Sequence, residues 1–204
     1  MCEKVLTLSA RKNMQFFGTI QERNKLIRLD LEGRAFIHYK TAGATDVVAH
    51  EFAKKDADKW LRKNMYIPQK KDLAQYSPFP GAKGITINAL AAKDYDSLMD
   101  TIGYNVSIGH FPAGTGTVGA LEKHEFGHLL DAITGLRTKP ELQSFWVPLT
   151  SEEIRAGLSG YASDKTKIGE FIAEAWSEYS VSASPRPMSK AVAEFLLKTL
   201  GGIP

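Results

Sequence analysis

The stretch EKHEFGHLLDAITG, residues 122–135, sets His124 and His128 four positions apart, with Glu125 directly after the first histidine. An α-helix repeats every 3.6 residues, so the two imidazoles lie one above the other on a single face. At that spacing both can reach one tetrahedral metal ion, for which zinc is the usual occupant. Glu125 sits about 100° round the helix from His124, beside such an ion without ligating it, where it can accept a proton from an activated water. Leu129, Leu130 and Ile133 supply apolar surface on the other side. Thr117 can cap the start of the helix and Gly135 can end it, giving about four turns. HExxH is short enough to arise by chance, but motif, boundaries and burial pattern agree here, which favours a metal site over two merely polar histidines.

AHEFAKK, residues 49–55, is an internal contrast. It repeats the His-Glu-Phe opening, but Lys54 stands where the second histidine belongs and would repel a cation. His50 and Glu51 therefore read as solvated surface residues.

Catalytic zinc takes three protein ligands and keeps a fourth position for water. The short extension with a third histidine six residues after His128 is excluded, because Thr134 stands there and Asp131 replaces the glycine that turns such a chain. Asp131 lies one turn past His128, and its short side chain is expected to hydrogen-bond nearby rather than to ligate. The stronger candidate is IGEFIAEAWSEYS, residues 168–180. Ile168, Phe171, Ile172, Ala175 and Tyr179 mark a buried stripe, while Glu170, Ala173, Glu174 and Ser177 form a small-sided acidic face. Two carboxylates four apart with alanine between them permit close approach to another helix. One can bind the metal while the other orients a ligating histidine.

HEFGHLLD, then SGYAS, then GEFIAEAWSEY resembles the glutamate-zincin metallopeptidases of the anthrax lethal factor catalytic-domain type. Pro-Pro endopeptidases are similar, as are peptidase domains associated with phage minor head proteins. The resemblance spans roughly residues 104–180, in three separated motifs in the right order. It implies a zincin-like fold, with a small twisted sheet packed on the active-site helix. It also implies a zinc cofactor and a peptide or protein substrate. His124, His128 and Glu170 become the ligands, Glu125 the base, Tyr161 a catalytic tyrosine and Glu174 the orienting carboxylate. In such zincins the strand before the active-site helix pairs with extended substrate. Tyr104 and His110 flank the corresponding stretch here and are candidate substrate contacts, a partly buried structural role being the other reading of His110. The implied activity is zinc endopeptidase. The alternatives are a phage head or virion component with a purely structural zinc, and an injected toxin peptidase.

Elsewhere the chain reads as α+β. RAFIHYK (34–40), GITINAL (84–90) and YNVSIGHF (104–111) look like strands. Thr45 caps a helix with Ala49, Phe52, Ala53, Ala57 and Trp60 at helical spacing. YSPFPGAKG (76–84) reads as a loop, and DYDSLMDTIG as a short helix stopping at Gly103. Thr150 and Glu153 form a capping box, and MSKAVAEFLLKTLGG closes the chain as a helix after the SASPRP break. Residues 1–45 read as an appendage or the start of the domain, and 46–204 as the zincin-like domain. GTGTVG (114–119) fits a dinucleotide fingerprint, but no second strand ending in an acidic residue follows about twenty positions on. Its glycines are expected to form a mobile loop at the site's mouth.

Composition adds exclusions. The 204 residues carry a net charge of +3 with Lys and Arg scattered, too diffuse a balance for nucleic acid. No apolar run approaches a membrane span. A single cysteine rules out an internal disulfide framework, and MCEKVLTLSARKN has no signal-peptide core. The expected location is cytoplasmic or virion-associated, with export by a non-classical route left open.

Overall fold

A computed structural model of the chain describes residues 16–64, 73–77, 84–88 and 94–201. It divides into two compact units, Gln15–Ala91 and the part from Ala92 onward.

In the first unit, strand β1 (Phe16–Thr19) runs directly into helix α1 (Ile20–Thr41). The transition is a capping box: the Glu22 N–H donates to Thr19 Oγ1 at 3.1 Å, and the Thr19 N–H donates to Glu22 Oε2 at 2.8 Å. Two helix-end donors are thereby satisfied at once. Helix α2 (Asp46–Asn64) follows, its Ala49 N–H bonded to the Thr45 carbonyl at 2.9 Å. Ala49, Ala53 and Ala57 are buried, as their spacing predicts, whereas Phe52 stays exposed. Ile27 packs with Leu31, Trp60 and Leu61 between the two helices.

RAFIHYK is not a strand but the last third of α1. Phe36 stacks on His50 with ring centroids 4.3 Å apart, and the Tyr39 hydroxyl donates to Asp56 Oδ2 at 2.6 Å. Packing on α2 overrides the strand preference of its aromatic and branched residues. Helices α1 and α2, on either side of residue 45, lie in the same compact unit.

Strands β2 (Ala74–Ser77) and β3 (Gly84–Ile87) complete a three-stranded sheet of order β1-β3-β2. β1 runs parallel to β3 with Phe16 opposite Gly84, and β2 antiparallel to it with Ala74 opposite Ile87. The 84–90 expectation is thus met over Gly84–Ile87, with residues 89–90 outside the described residues. Of the expected loop, Tyr76 and Ser77 end β2, and residues 78–83 lie outside the described residues.

The described second unit is helical. Helix α3 (Tyr95–Ser107) is capped by Asp94, whose carboxylate accepts the Ser97 N–H at 3.2 Å. It does not stop at Gly103, and the strand expected over 104–111 is absent. Buried Leu98 and Ile102, one turn apart, carry the helix through the glycine. Helix α4 (Val118–Thr134) has the expected cap at Thr117 and the expected stop at Gly135, which is left-handed at φ 63° and ψ 28°. A 3₁₀ turn (Leu136–Thr138), α5 (Pro140–Trp146) and α6 (Ser151–Gly157) follow, α6 opening on the Thr150–Glu153 capping box. A second 3₁₀ turn (Tyr161–Ser163) leads to α7 (Ile168–Val181) and the closing helix α8 (Pro187–Gly201).

Helix α7 is the axis of this unit, buried from Phe171 to Glu178. Phe171, Ile172, Ala175 and Trp176 join Leu130 of α4, Ile154 of α6 and Val192 and Leu196 of α8 in one core. The chain is α+β and predominantly helical. Among the described residues, no helix is long and apolar enough to cross a membrane.

Candidate metal centre

Two helices build the site. At their crossing, α4 offers Gly127 and α7 offers Ala173; a Cβ added at Gly127 would lie 2.7 Å from the Ala173 Cα. Ser177 extends the contact, donating its hydroxyl to the Ala120 carbonyl at 2.7 Å. Small residues let the backbones close up, and side chains one turn either way converge.

His124 Nε2 lies 3.2 Å and His128 Nε2 3.3 Å from Glu170 Oε2. All three ligand atoms fall within 4.8 Å of one another. The separations are of hydrogen-bond length, yet Glu170 Oε2 is buried without a hydrogen-bond partner. Ligand atoms about 2.0–2.2 Å from a tetrahedral ion stand about 3.3–3.6 Å apart, so the donor set fits a divalent cation.

The far side of His124 is fixed. Its Nδ1–H donates to Glu174 Oε1 at 2.6 Å, leaving the Nε2 lone pair for the centre. Burial disfavours charge on this ring, but Glu170 and Glu174, with Glu125 behind them, outweigh it and hold its pKa well above the usual histidine value. Glu170 is the counterpart: burial would raise its pKa, but His124 and His128 pull it well below the carboxylate range.

Glu125 is buried beside the centre and is not one of the three converging donors. Its charge is felt at both His124 and Tyr161. The Tyr161 ring lies 5.9 Å from that of His124. Burial, then the charges of Glu170, Glu174 and Glu125, push its hydroxyl above the usual tyrosine range. The tyrosine is positioned through its backbone: the Tyr161 N–H donates to the His110 carbonyl at 3.0 Å and the Gly160 N–H to the Gly109 carbonyl at 2.8 Å. The His110 ring rests 5.4 Å from that of Tyr161.

His110 therefore reaches the cluster, but from a turn after α3 rather than from a strand. Tyr104 does not join it. It lies on the exposed surface of α3, and the edge strand that made it a substrate contact is absent. Asp131 is fully buried and holds Arg137 rather than a ligand, accepting the Arg137 N–H at 2.9 Å and its Nε–H at 2.6 Å. The glycine-rich stretch before α4 is fastened. Thr115 donates through its hydroxyl to the Pro112 carbonyl at 2.7 Å, and a Cβ at Gly114 (φ +79°) would press within 2.7 Å of Ser182 Oγ. His50 and Glu51 are exposed, as expected, with Glu51 paired to Lys55.

Two contributors escaped the sequence. Gly127 carried no signal beyond its place in HEFGH. Ser159, fully buried against Glu174, lies in SGYAS, where only its position two residues before Tyr161 could have drawn notice. Comparison with protein-family models, curated proteins and solved structures returns no match to this chain.

Proposed function

We propose that this chain is a zinc-dependent endopeptidase with a zincin-like catalytic centre. The observation that carries the reading is Glu170 Oε2, buried and lacking a hydrogen-bond partner between two histidine Nε2 atoms at 3.2 and 3.3 Å. Nitrogen and carboxylate donors in a set of three, with the HExxH glutamate kept out of it, are the composition of a catalytic rather than a closed structural zinc site.

His124, His128 and Glu170 would hold the ion. Bound there, zinc supplies Lewis acidity, polarising a carbonyl and lowering the pKa of a water to about 7. Glu125 takes the proton of the attacking water and passes it to the leaving amine. The Tyr161 hydroxyl, its pKa raised, stays protonated at neutral pH and donates to the oxyanion that develops on the scissile carbonyl. Glu174 keeps His124 in the ligating tautomer throughout. His110, against the Tyr161 ring, borders the space where the substrate backbone would lie.

The test is elemental analysis of the purified protein together with mass-spectrometric profiling of a peptide library, with and without a chelator. Stoichiometric zinc and chelator-sensitive cleavage are expected. Zinc without cleavage of any peptide would instead favour a structural site.

A further inference from the structure

The orienting contact on His124 does not end at Glu174. Glu174 is buried, and its two oxygens have separate partners: Oε1 accepts from His124 Nδ1 at 2.6 Å and Oε2 accepts the Ser159 hydroxyl at 3.0 Å. Ser159 is itself inaccessible to solvent, and its Oγ also accepts the Ala162 N–H at 3.1 Å. That amide directly follows Tyr161, at the start of the 3₁₀ turn that carries the tyrosine. One hydroxyl thus uses its proton on the carboxylate behind the metal ligand and a lone pair on the tyrosine's turn.

The chain around Ser159 is held in place independently. The Ser159 N–H bonds to the Ile154 carbonyl at 3.2 Å. Arg186, paired with buried Glu178 one turn beyond Glu174, donates to the carbonyls of Ala156 and Leu158. Ser159 is therefore presented to Glu174 from an anchored backbone.

We propose that Ser159 is a positioning residue for the metal centre: through Glu174 it sets the orientation of His124, and it ties that setting to the turn bearing Tyr161. An isolated Glu174 carboxylate can rotate about its last torsion and still satisfy His124. With Oε2 held by Ser159, only one rotation is open, and the Nε2 lone pair is aimed. The proposal rests on the zinc reading above, so its test measures metal affinity rather than turnover.

Zinc affinity is measured by chelator competition on the full chain for the wild type, Ser159→Ala, Glu174→Ala and the double variant, with denaturant unfolding as a fold control. Loss of an outer hydrogen-bond partner of a ligand weakens metal binding about 10–100-fold; that range is expected for Glu174→Ala, and its lower end, about tenfold, for Ser159→Ala, which acts one contact further out. Because Ser159 acts through Glu174, the double variant should bind zinc no more than about threefold more weakly than Glu174→Ala, whereas two independent structural effects would multiply. Ser159→Cys, close in volume but a weaker donor, should fall between wild type and alanine and serves if Ser159→Ala does not fold. Wild-type affinity in Ser159→Ala, or a multiplicative double variant, overturns the proposal alone. A wild-type chain that binds no zinc overturns the metal reading and this proposal together.

Discussion

Gly127 and Ala173 meet with no room for a side chain between them: a Cβ at position 127 would stand 2.7 Å from the Ala173 Cα and 3.3 Å from its carbonyl oxygen. Helices that approach this closely do so through glycine and alanine, and the separation they set is what brings Glu170 to ligand distance of two histidines on the opposite helix. The obstacle to a larger residue is backbone, which cannot swing aside. Gly127→Ala should therefore lower stability by about 1–3 kcal/mol and weaken zinc binding as α7 is pushed away. Gly103→Ala is the control. Gly103 lies inside α3, and a methyl group there would meet nothing within 4 Å, so alanine should gain about 0.5–1 kcal/mol. Chemical denaturation of both variants, with metal analysis, checks the contrast.

Glu125 and the ligands should separate cleanly. Glu125→Gln keeps shape and removes the base, so zinc content should stay at the wild-type level while turnover falls about 10²–10⁴-fold. His128→Ala and Glu170→Ala should lose zinc instead. Full turnover by a zinc-loaded Glu125→Gln protein would contradict the assignment of the base.

Tyr161→Phe isolates the oxyanion donor. The ring packs against His124 and His110 whether or not it carries a hydroxyl, so fold and zinc content should be unchanged. A preorganised donor to a developing oxyanion is worth about 10²–10³-fold in kcat, and steady-state kinetics on any cleaved peptide reads it. A loss confined to KM would place the hydroxyl on substrate in its ground state rather than on the transition state.

The site was more legible in the sequence than the fold around it. α4 and α7 carry their own boundaries in Thr117 and Gly135 and in periodic apolar residues, so their ligands could be placed from local pattern. RAFIHYK and YNVSIGHF failed for a local reason too. Seven or eight residues rich in aromatic and branched side chains fit either a strand or a helix, and the deciding partner lies elsewhere in the chain. For Tyr39 it is Asp56, on the next helix. Ser159 was illegible because its meaning depends on Glu174, fifteen residues on, facing it across a buried contact. The small-sided face of α7 was legible too: Ala173, Glu174 and Ser177 are buried where it packs on α4, whereas Tyr179, read into the buried stripe, is exposed near the helix end.

Metal removal should leave a pH signature of definite sign. In chelated protein His124 has a pKa above its unfolded value of about 6.5. Its contribution to stability is then complete below that value and disappears as pH rises through the raised one. Glu170, with its pKa lowered, contributes above the ordinary carboxylate range and loses the contribution as pH falls through its depressed value. Zinc requires a neutral imidazole, so binding must expel the His124 proton. Apparent affinity should rise about tenfold per pH unit until the raised value is passed. Calorimetry in buffers of different ionisation enthalpy should find about one proton released per zinc at neutral pH, and none released would contradict the protonation proposed for the metal-free site.

Glu178 carries the last prediction, because it repeats on α7 the spacing of Glu170 and Glu174 while doing different work. It is fully buried, and accepts the Arg186 backbone N–H and Nε–H at 2.9 Å and the Ser189 hydroxyl at 2.8 Å. Every partner is a donor, so the carboxylate is compensated as a charge and as a set of lone pairs. Glu178 is buried and Arg186 partly exposed, so removing the arginine strands a buried carboxylate, at a cost of about 3–5 kcal/mol. Glu178→Ala, which leaves the arginine with access to water, should lose less than that in denaturant unfolding. Arg186→Met, which leaves the buried carboxylate with only Ser189 and the backbone N–H at position 186, should lose the full amount and also free the Ala156 and Leu158 carbonyls. Those carbonyls precede Ser159, so Arg186→Met should weaken zinc binding although it lies far along the chain from any ligand. A variant destabilised by several kcal/mol that still binds zinc like the wild type below its unfolding midpoint would show that the metal centre is insulated from this end of α7.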